Sequence, residues 1–127
     1  MNRLVSLALL LVALIHLLPL SGVLGSERLS ALYGISFDEP NIEILMRHRA
    51  VLFGLLGVFL LYAAFHKRLH LTALAVGAVS VMSFFTIAKS VGGYNSEIAR
   101  VFVVEMVALV CLVLGLIIFV ILKLHKK

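Results

Sequence analysis

The sequence predicts an all-α protein: a four-helix transmembrane bundle with a short interfacial helix between spans one and two. The chain of 127 residues is 63% hydrophobic and has a mean hydropathy of +1.19, whereas only about half of a soluble domain is apolar. It contains four long apolar runs, and short basic clusters flank them. This length leaves room for a single membrane domain.

The four spans are predicted at about residues 4–24, 43–65, 71–89 and 99–122, because about 20 helical residues cross a hydrocarbon core. The second span is the least obvious. Its uncharged part, residues 50–65, reaches only about 24 Å. We therefore expect this helix to begin near Asn41, a good N-cap that follows Pro40.

Residues 26–34 predict a short surface helix between the first two spans. Ser26 is expected to cap it, and Gly34 is expected to close it in the left-handed conformation. Its apolar side chains are expected to rest on the bilayer; they are Leu29, Leu32 and Tyr33.

The basic residues predict an orientation. With the N-terminus in the cytoplasm, the inner segments carry six basic residues and no acid; these are Arg3, Lys67, Arg68, Lys123, Lys126 and Lys127. All six acids then fall on the outer side or in the outer half of the membrane. The positive-inside rule thus predicts that both termini are cytoplasmic. The net charge of +5 follows the membrane surfaces, so no nucleic-acid partner is predicted.

The first span has an alternative interpretation as a cleaved signal peptide. A basic start precedes it, and Val23-Leu-Gly25 is a possible cleavage site. Its apolar run is longer than the roughly 7–15 residues of a signal core, and Pro19 interrupts it late. We favour a retained helix.

Small residues predict the inward faces of the spans, because helices in lipid approach closely where side chains are small. They are Ala50, Gly54 and Gly57 in span two, Ala73, Gly77 and Ser80 in span three, and Ala108 and Gly115 in span four.

Glu105 is the most informative polar residue, because it is the only charge in the apolar run 101–122 of the fourth span. It lies roughly 6 Å past the start of its apolar run, where a carboxylate is costly and often marks function. Arg47 shares a helical stripe with Ala50 and Gly54, so we expect it to pair with Glu105. Arg49 lies about 160° from Arg47 around the helix and is expected to turn outward or to serve another neighbour.

The predicted binding site is an outer-facing polar pocket. Its candidate residues are Glu105, Arg47, His16, His48, Lys89 and Tyr94. A purely structural Glu105–Arg47 pair between two helices is an equal alternative. No catalytic residue, metal ligand or cofactor is predicted, because single histidines such as His16 and His48 are more often hydrogen-bonded or solvated than metal-bound. Cys111 is interpreted as a packing residue.

Residues 18–57, with Leu-Tyr-Gly at 32–34 and Met-Arg-His-Arg-Ala-Val-Leu-Phe-Gly at 46–54, resemble a family of short bacterial four-helix membrane proteins. Gly-Gly-Tyr-Asn at 92–95 fits the same pattern. The resemblance covers nearly the whole chain, is distantly similar to the DoxX-like group, and implies a bacterial inner-membrane location. Some members carry the name phosphopantetheine adenylyltransferase. The sequence has no His-x-Gly-His motif and no Gly-rich strand-to-helix turn for that chemistry.

Three functions are compatible with these patterns. We favour a non-enzymatic accessory protein, or a module that contacts a lipid or quinone, with a membrane protein or a second copy as a further partner. The alternatives are a small proton-coupled transporter that uses Glu105, and an intramembrane enzyme acting on a lipid or isoprenoid. No nucleophile–base pair supports the enzyme.

Overall fold

Helices make up nearly all of the protein, as the sequence predicts. The structure is a computed structural model that describes residues 2–126. The α-helices are α1 (Asn2–Leu17), α2 (Ser26–Tyr33), α3 (Pro40–Ala64), α4 (His70–Val91) and α5 (Ser96–Leu124). Two 3₁₀ segments, Leu18–Leu24 and Lys67–Leu69, follow α1 and precede α4. The described residues contain no strand.

Four segments are long and apolar enough to cross a membrane: Arg3–Leu24, Pro40–Ala64, Lys67–Val91 and Ser96–Leu124. The protein is therefore a multi-pass membrane protein. The first of these segments changes character at its end, because α1 stops at Leu17 and Pro19 stands in the first turn of the 3₁₀ segment. Proline has no N–H to donate, so it cannot continue the α-helical hydrogen bonds.

The helix α3 begins at Pro40, close to the predicted start, but its N-cap lies two residues before the predicted one. Asn41 is not the N-cap; Glu39 is, and its carboxylate accepts hydrogen bonds from the backbone N–H groups of Asn41 at 3.1 Å and Ile42 at 2.9 Å. The reason is Pro40, which fits the first helical position and moves the cap before it. These hydrogen bonds, chiefly that from Asn41, hold the pKa of Glu39 below its usual value.

The helix α2 forms where predicted, but its cap and its surroundings do not match the expectation. Gly25, with φ of 138°, is the N-cap, and Ser26 is already the first helical residue. Gly34 closes the helix in the left-handed region with φ of 66°. Leu29 and Tyr33 do not rest on the bilayer, because they pack with Phe37 in a small apolar cluster against the bundle.

The core is built around α1, which packs against each of the other three spans. Its inward side chains are not exposed at all; they are Val5, Leu9, Val12 and Ala13. The predicted small residues of α3 are buried: Ala50, Gly54 and Gly57. A Cβ added to Gly57 would lie 2.7 Å from Cγ of Leu17. This stripe of α3 therefore faces the first span and not α5.

Candidate functional site

Glu105 is buried in the third turn of α5, with 6% of its surface exposed. Its Oε2 atom has no hydrogen-bond partner among residues 2–126. Two side chains act on its carboxylate electrostatically, His16 from α1 and Arg49 from α3. A buried carboxylate that lacks a hydrogen-bond partner is costly, so this atom marks an incomplete polar site.

The expected pair between Arg47 and Glu105 is wrong. Arg47 is an exposed residue of α3 whose Nε donates to the carbonyl oxygen of Val23 at 2.9 Å. Its Nη1 lies 3.4 Å from the carboxylate of Glu43, one turn earlier on the same helix. Because the small-residue stripe of α3 faces the first span, Arg47 on that stripe reaches the 3₁₀ segment instead of α5.

Arg49, which is not among the predicted pocket residues, lies near two aromatic rings. Its guanidinium lies 4.6 Å from the ring centroid of Phe53 and 5.5 Å from that of Tyr33. Its Nη1 donates to the Tyr33 hydroxyl at 2.9 Å. The spacing of Arg49 and Phe53 in the sequence could have predicted this contact. Residues four apart meet on a helix, and aromatic faces attract guanidinium groups.

Three cavities meet at Arg49 and Phe53. The first, here called the Arg49 cavity, has a volume of about 450 Å³ and lies between α3, α4 and the start of α5. Besides these two residues it is lined by Ser80, Ser83, Phe84, Ile87, Ala88, Val91, Gly92, Tyr94 and Ile98. Among residues 2–126, Arg49 is the one charged residue that lines this cavity, so the Arg49 cavity suits a group that accepts hydrogen bonds.

The second, here called the Glu105 cavity, has a volume of about 170 Å³. Its polar lining residues are Tyr33, Arg49, Glu97, Arg100 and Glu105, and its remaining walls are mostly apolar. Arg100 and Glu97 approach each other to 3.5 Å on α5. A further cavity of about 210 Å³ shares Arg49, Phe53 and Ser80 with the Arg49 cavity and continues along α3 to Leu52 and Leu56.

His16 is fully buried and connects α1 to α4. Its Nδ1 lies 2.9 Å from the carbonyl oxygen of Val12, and its Nε2 lies 3.1 Å from the hydroxyl of Ser80. A carbonyl only accepts, so Nδ1 carries a proton, and Nε2 shares a hydrogen bond with the hydroxyl of Ser80. The ring also stacks on Phe53 at 5.8 Å. His16 thus supports the wall of both cavities.

The remaining predicted site residues divide into two groups. Tyr94 lines the Arg49 cavity and stacks on Phe102 with ring centroids 6.1 Å apart. His48 and Lys89 are exposed and line none of the three cavities around Arg49. The site therefore joins Glu105, His16 and Tyr94 to Arg49 and leaves out Arg47, His48 and Lys89.

In the described part of the chain, no three His, Cys, Asp or Glu side chains are grouped closely enough to hold a metal ion. His66 and His70, four residues apart, do not form a pair. His66 stacks on Tyr62 with ring centroids 3.8 Å apart, and Nε2 of buried His70 lies 3.4 Å from the carbonyl oxygen of Ala64.

Comparison with known proteins adds no further information, because no protein-family model, no curated protein and no solved structure matches this chain.

Proposed function

We propose that this protein is a non-enzymatic module of a bacterial inner membrane that binds a lipid- or quinone-like amphiphile in the Arg49 cavity. The observation that carries the proposal is that most N–H donors of Arg49 have no acceptor within the described residues. A guanidinium has five N–H donors, and within the described residues one of them is used, toward Tyr33. The remaining donors are available to an acceptor on the head of a ligand.

The walls of the Arg49 cavity match the rest of such a ligand. Phe84, Ile87 and Val91 provide apolar surface on one side. Leu52 and Leu56 extend that surface in the adjoining cavity, and Leu52 is half exposed on the outside of α3. A few polar groups at one end of a mainly apolar pocket are typical of sites for amphiphilic molecules.

The orientation of the proposed site follows from the charges. Lys67, Lys123 and Lys126 line one cavity at the bundle end that contains the turn between α3 and α4. The exposed acids lie at the opposite end, among them Glu27, Asp38 and Glu39. This asymmetry supports cytoplasmic termini and an outer-leaflet site. The family resemblance of residues 18–57 supports the bacterial inner membrane.

Retention of a ligand tests the proposal. The protein would be purified from its own membrane in mild detergent, and native mass spectrometry would measure the adducts that it retains. We expect a lipid or quinone adduct that falls about tenfold in Arg49→Gln, since one charge-assisted hydrogen bond has an effect of this size. Arg47→Gln, two residues away on the same helix, is the matched control. Equal retention in both variants would refute the proposal.

The orientation has its own test. Reporter fusions after residues 68 and 127 should report the cytoplasm, and a fusion after residue 95 should report the outer side. A reporter after residue 127 that responds on the outer side would contradict the orientation, and with it the outer-leaflet position of the site.

A further inference from the structure

We infer that Glu105 is the acceptor for an ammonium group, so that the ligand is a zwitterionic phospholipid with a primary amine, of the phosphatidylethanolamine class. The inference rests on the proposed function, because it assigns the second half of the head of the same ligand. It begins from the Oε2 atom of Glu105, which is buried, unpartnered among residues 2–126 and part of a side chain that lines the Glu105 cavity.

No basic side chain among residues 2–126 is hydrogen-bonded or ion-paired to Glu105. His16 directs Nδ1 to Val12 and Nε2 to Ser80, so neither ring nitrogen is directed at Glu105. Arg49 directs Nη1 to Tyr33 and its face to Phe53. The ion pairs within residues 2–126 are Arg47 with Glu43 and Arg100 with Glu97, and neither includes Glu105.

The charges around the two cavities select a zwitterion. Arg49 lines both cavities, and the smaller one is also lined by Glu105, Glu97 and Arg100. Arg100 and Glu97 approach each other to 3.5 Å and offset each other's charge, so Arg49 and Glu105 are the charges left for a ligand. A purely anionic head would satisfy Arg49 but would bring a second negative charge toward Glu105. A purely cationic head would satisfy Glu105 but would be repelled by Arg49. At low dielectric these repulsions are strong, whereas a head with phosphate at Arg49 and ammonium at Glu105 satisfies both charges.

The unpartnered Oε2 atom of Glu105 favours a primary amine over a choline. The Glu105 cavity of about 170 Å³ has room for several water-sized groups, which accommodates an aminoethyl group. A primary ammonium has three N–H donors, as a lysine does, so it can donate to Oε2. A trimethylammonium has no N–H and leaves Oε2 unpartnered. The phosphate and the acyl chains then occupy the larger Arg49 cavity and its continuation along α3.

A lipid series on the unmodified protein is the first test. Native mass spectrometry in detergent would compare phosphatidylethanolamine, its N-methyl and N,N-dimethyl forms, phosphatidylcholine and phosphatidylglycerol. We expect affinity to fall with each N–H group that the lipid loses, so that phosphatidylcholine binds about tenfold more weakly than phosphatidylethanolamine. Phosphatidylglycerol should also bind more weakly than phosphatidylethanolamine. No variant is needed, so protein folding cannot confuse the result. Phosphatidylglycerol binding as tightly as phosphatidylethanolamine would overturn the inference.

Variants identify the carboxylate responsible. Glu105→Gln should reduce the preference for phosphatidylethanolamine over phosphatidylglycerol about tenfold, while Glu97→Gln, in the same cavity, should not. An unchanged preference in Glu105→Gln would mean that Glu105 is protonated and does not bind the ammonium group. This result would overturn the inference but not the proposed function. Arg49→Gln should weaken the binding of both lipids. If wild type and Arg49→Gln bind every lipid equally well, the proposed function is refuted.

Soluble phosphoethanolamine separates the two sources of the same head chemistry. We expect it to compete weakly with the lipid, because it lacks the acyl chains that the apolar walls bind. Competition at the same concentration as the lipid would overturn the assignment to a phospholipid.

Discussion

The Nε2 atom of His16 lies 3.1 Å from the hydroxyl oxygen of Ser80, and this hydrogen bond joins α1 to α4 across 64 positions of sequence. Replacing Ser80 by Ala would leave Nε2 buried without a partner, so we expect Ser80→Ala to lower the free energy of unfolding by about 1–3 kcal/mol. His16→Ala removes the ring as well and should cost about 2–4 kcal/mol. Thermal unfolding in detergent measures both changes.

Ser83 provides the matched control for the Ser80 experiment. Its hydroxyl donates to the carbonyl oxygen of Ser80 within α4 at 2.8 Å, and the residue is exposed. Ser83→Ala should therefore change the free energy of unfolding by no more than about 0.5 kcal/mol. If Ser80→Ala were equally harmless, the connection from His16 to α4 would have no energetic role.

Arg49, and not Arg47, should be energetically coupled to Glu105. Arg49 acts on the Glu105 carboxylate, whereas Arg47 is exposed and bound to Val23 and Glu43. In double-mutant cycles with glutamine at each site, we expect a coupling of about 0.5–3 kcal/mol for Arg49 with Glu105. The effects of Arg47→Gln and Glu105→Gln should add within about 0.5 kcal/mol. Coupling that is confined to Arg47 would restore the pairing expected from the sequence.

Two glycines of α3 should respond differently to alanine. A Cβ at Gly57 would lie 2.7 Å from Cγ of Leu17 and 3.2 Å from the backbone oxygen of Ala13, so α1 itself would have to move. We expect Gly57→Ala to cost about 1–3 kcal/mol of unfolding free energy, the usual effect of overpacking. At Gly54 the clash is with Cδ1 of Leu20, the end of a flexible side chain.

Gly54→Ala is therefore the control for Gly57→Ala. Leu20 is 39% exposed and has room to rotate away, and alanine favours the helix over glycine by about 1 kcal/mol. We expect the stability of Gly54→Ala in thermal unfolding to stay within about 1 kcal/mol of wild type. A larger loss at Gly54 than at Gly57 would contradict the close approach of α3 to α1.

Glu39 should make stability depend on pH at the start of α3. Its pKa is below the ordinary value of 4.5, because the N–H groups of Asn41 and Ile42 bind its carboxylate. The stabilising contribution is therefore fully present above pH 4.5 and is lost as pH falls through the lower folded-state pKa. Unfolding measured from pH 7 to pH 3 should show a gap between wild type and Glu39→Ala that closes at low pH.

Glu39→Asp separates the cap from a general charge effect, because aspartate is also a good N-cap. This variant should retain most of the stability at pH 7, and it should still lose that stability at low pH. A gap between wild type and Glu39→Ala that is constant over the whole range would mean that Glu39 does not act through its charge.

The first span should remain attached to the protein. In the structure α1 packs against each of the other spans and contributes four fully buried side chains to the core. Removal of this helix would expose those contacts, so we expect an intact mass that includes residues 1–25, allowing for removal of the first methionine. A mature chain that starts at Ser26 would identify the span as a signal peptide.

The sequence predicts the helices well, because length and hydropathy determine what crosses a membrane. It also predicts the buried faces, since Gly57 and Ala108 are small for a reason that is visible in one helix at a time. The sequence does not predict which helices lie next to each other. All four spans are apolar around most of their circumference, so nothing in the pattern of α3 indicates that α1 lies beside it.

This missing information explains the error at Arg47. The helical wheel correctly assigned Arg47 to the small-residue stripe, but the stripe faces α1 and the 3₁₀ segment. Arg49 lies on another face of α3, where the sequence predicts either an outward side chain or contact with another neighbour, and this face lines the cavities. Glu105 and His16 were found because a polar side chain in an apolar run is visible without knowledge of its neighbours.

The 3₁₀ segment after α1 has a consequence for the length of the first span. A 3₁₀ helix rises about 2.0 Å per residue and an α-helix about 1.5 Å. The 16 residues of α1 and the seven that follow therefore extend about 38 Å, as far as the 25 residues of α3. A continuous α-helix through the same residues would be about 3.5 Å shorter and would turn each side chain by about 100° instead of 120°. Pro19 thus acts as a spacer that matches the first span in length to α3 and keeps Leu20 and Gly22 against it.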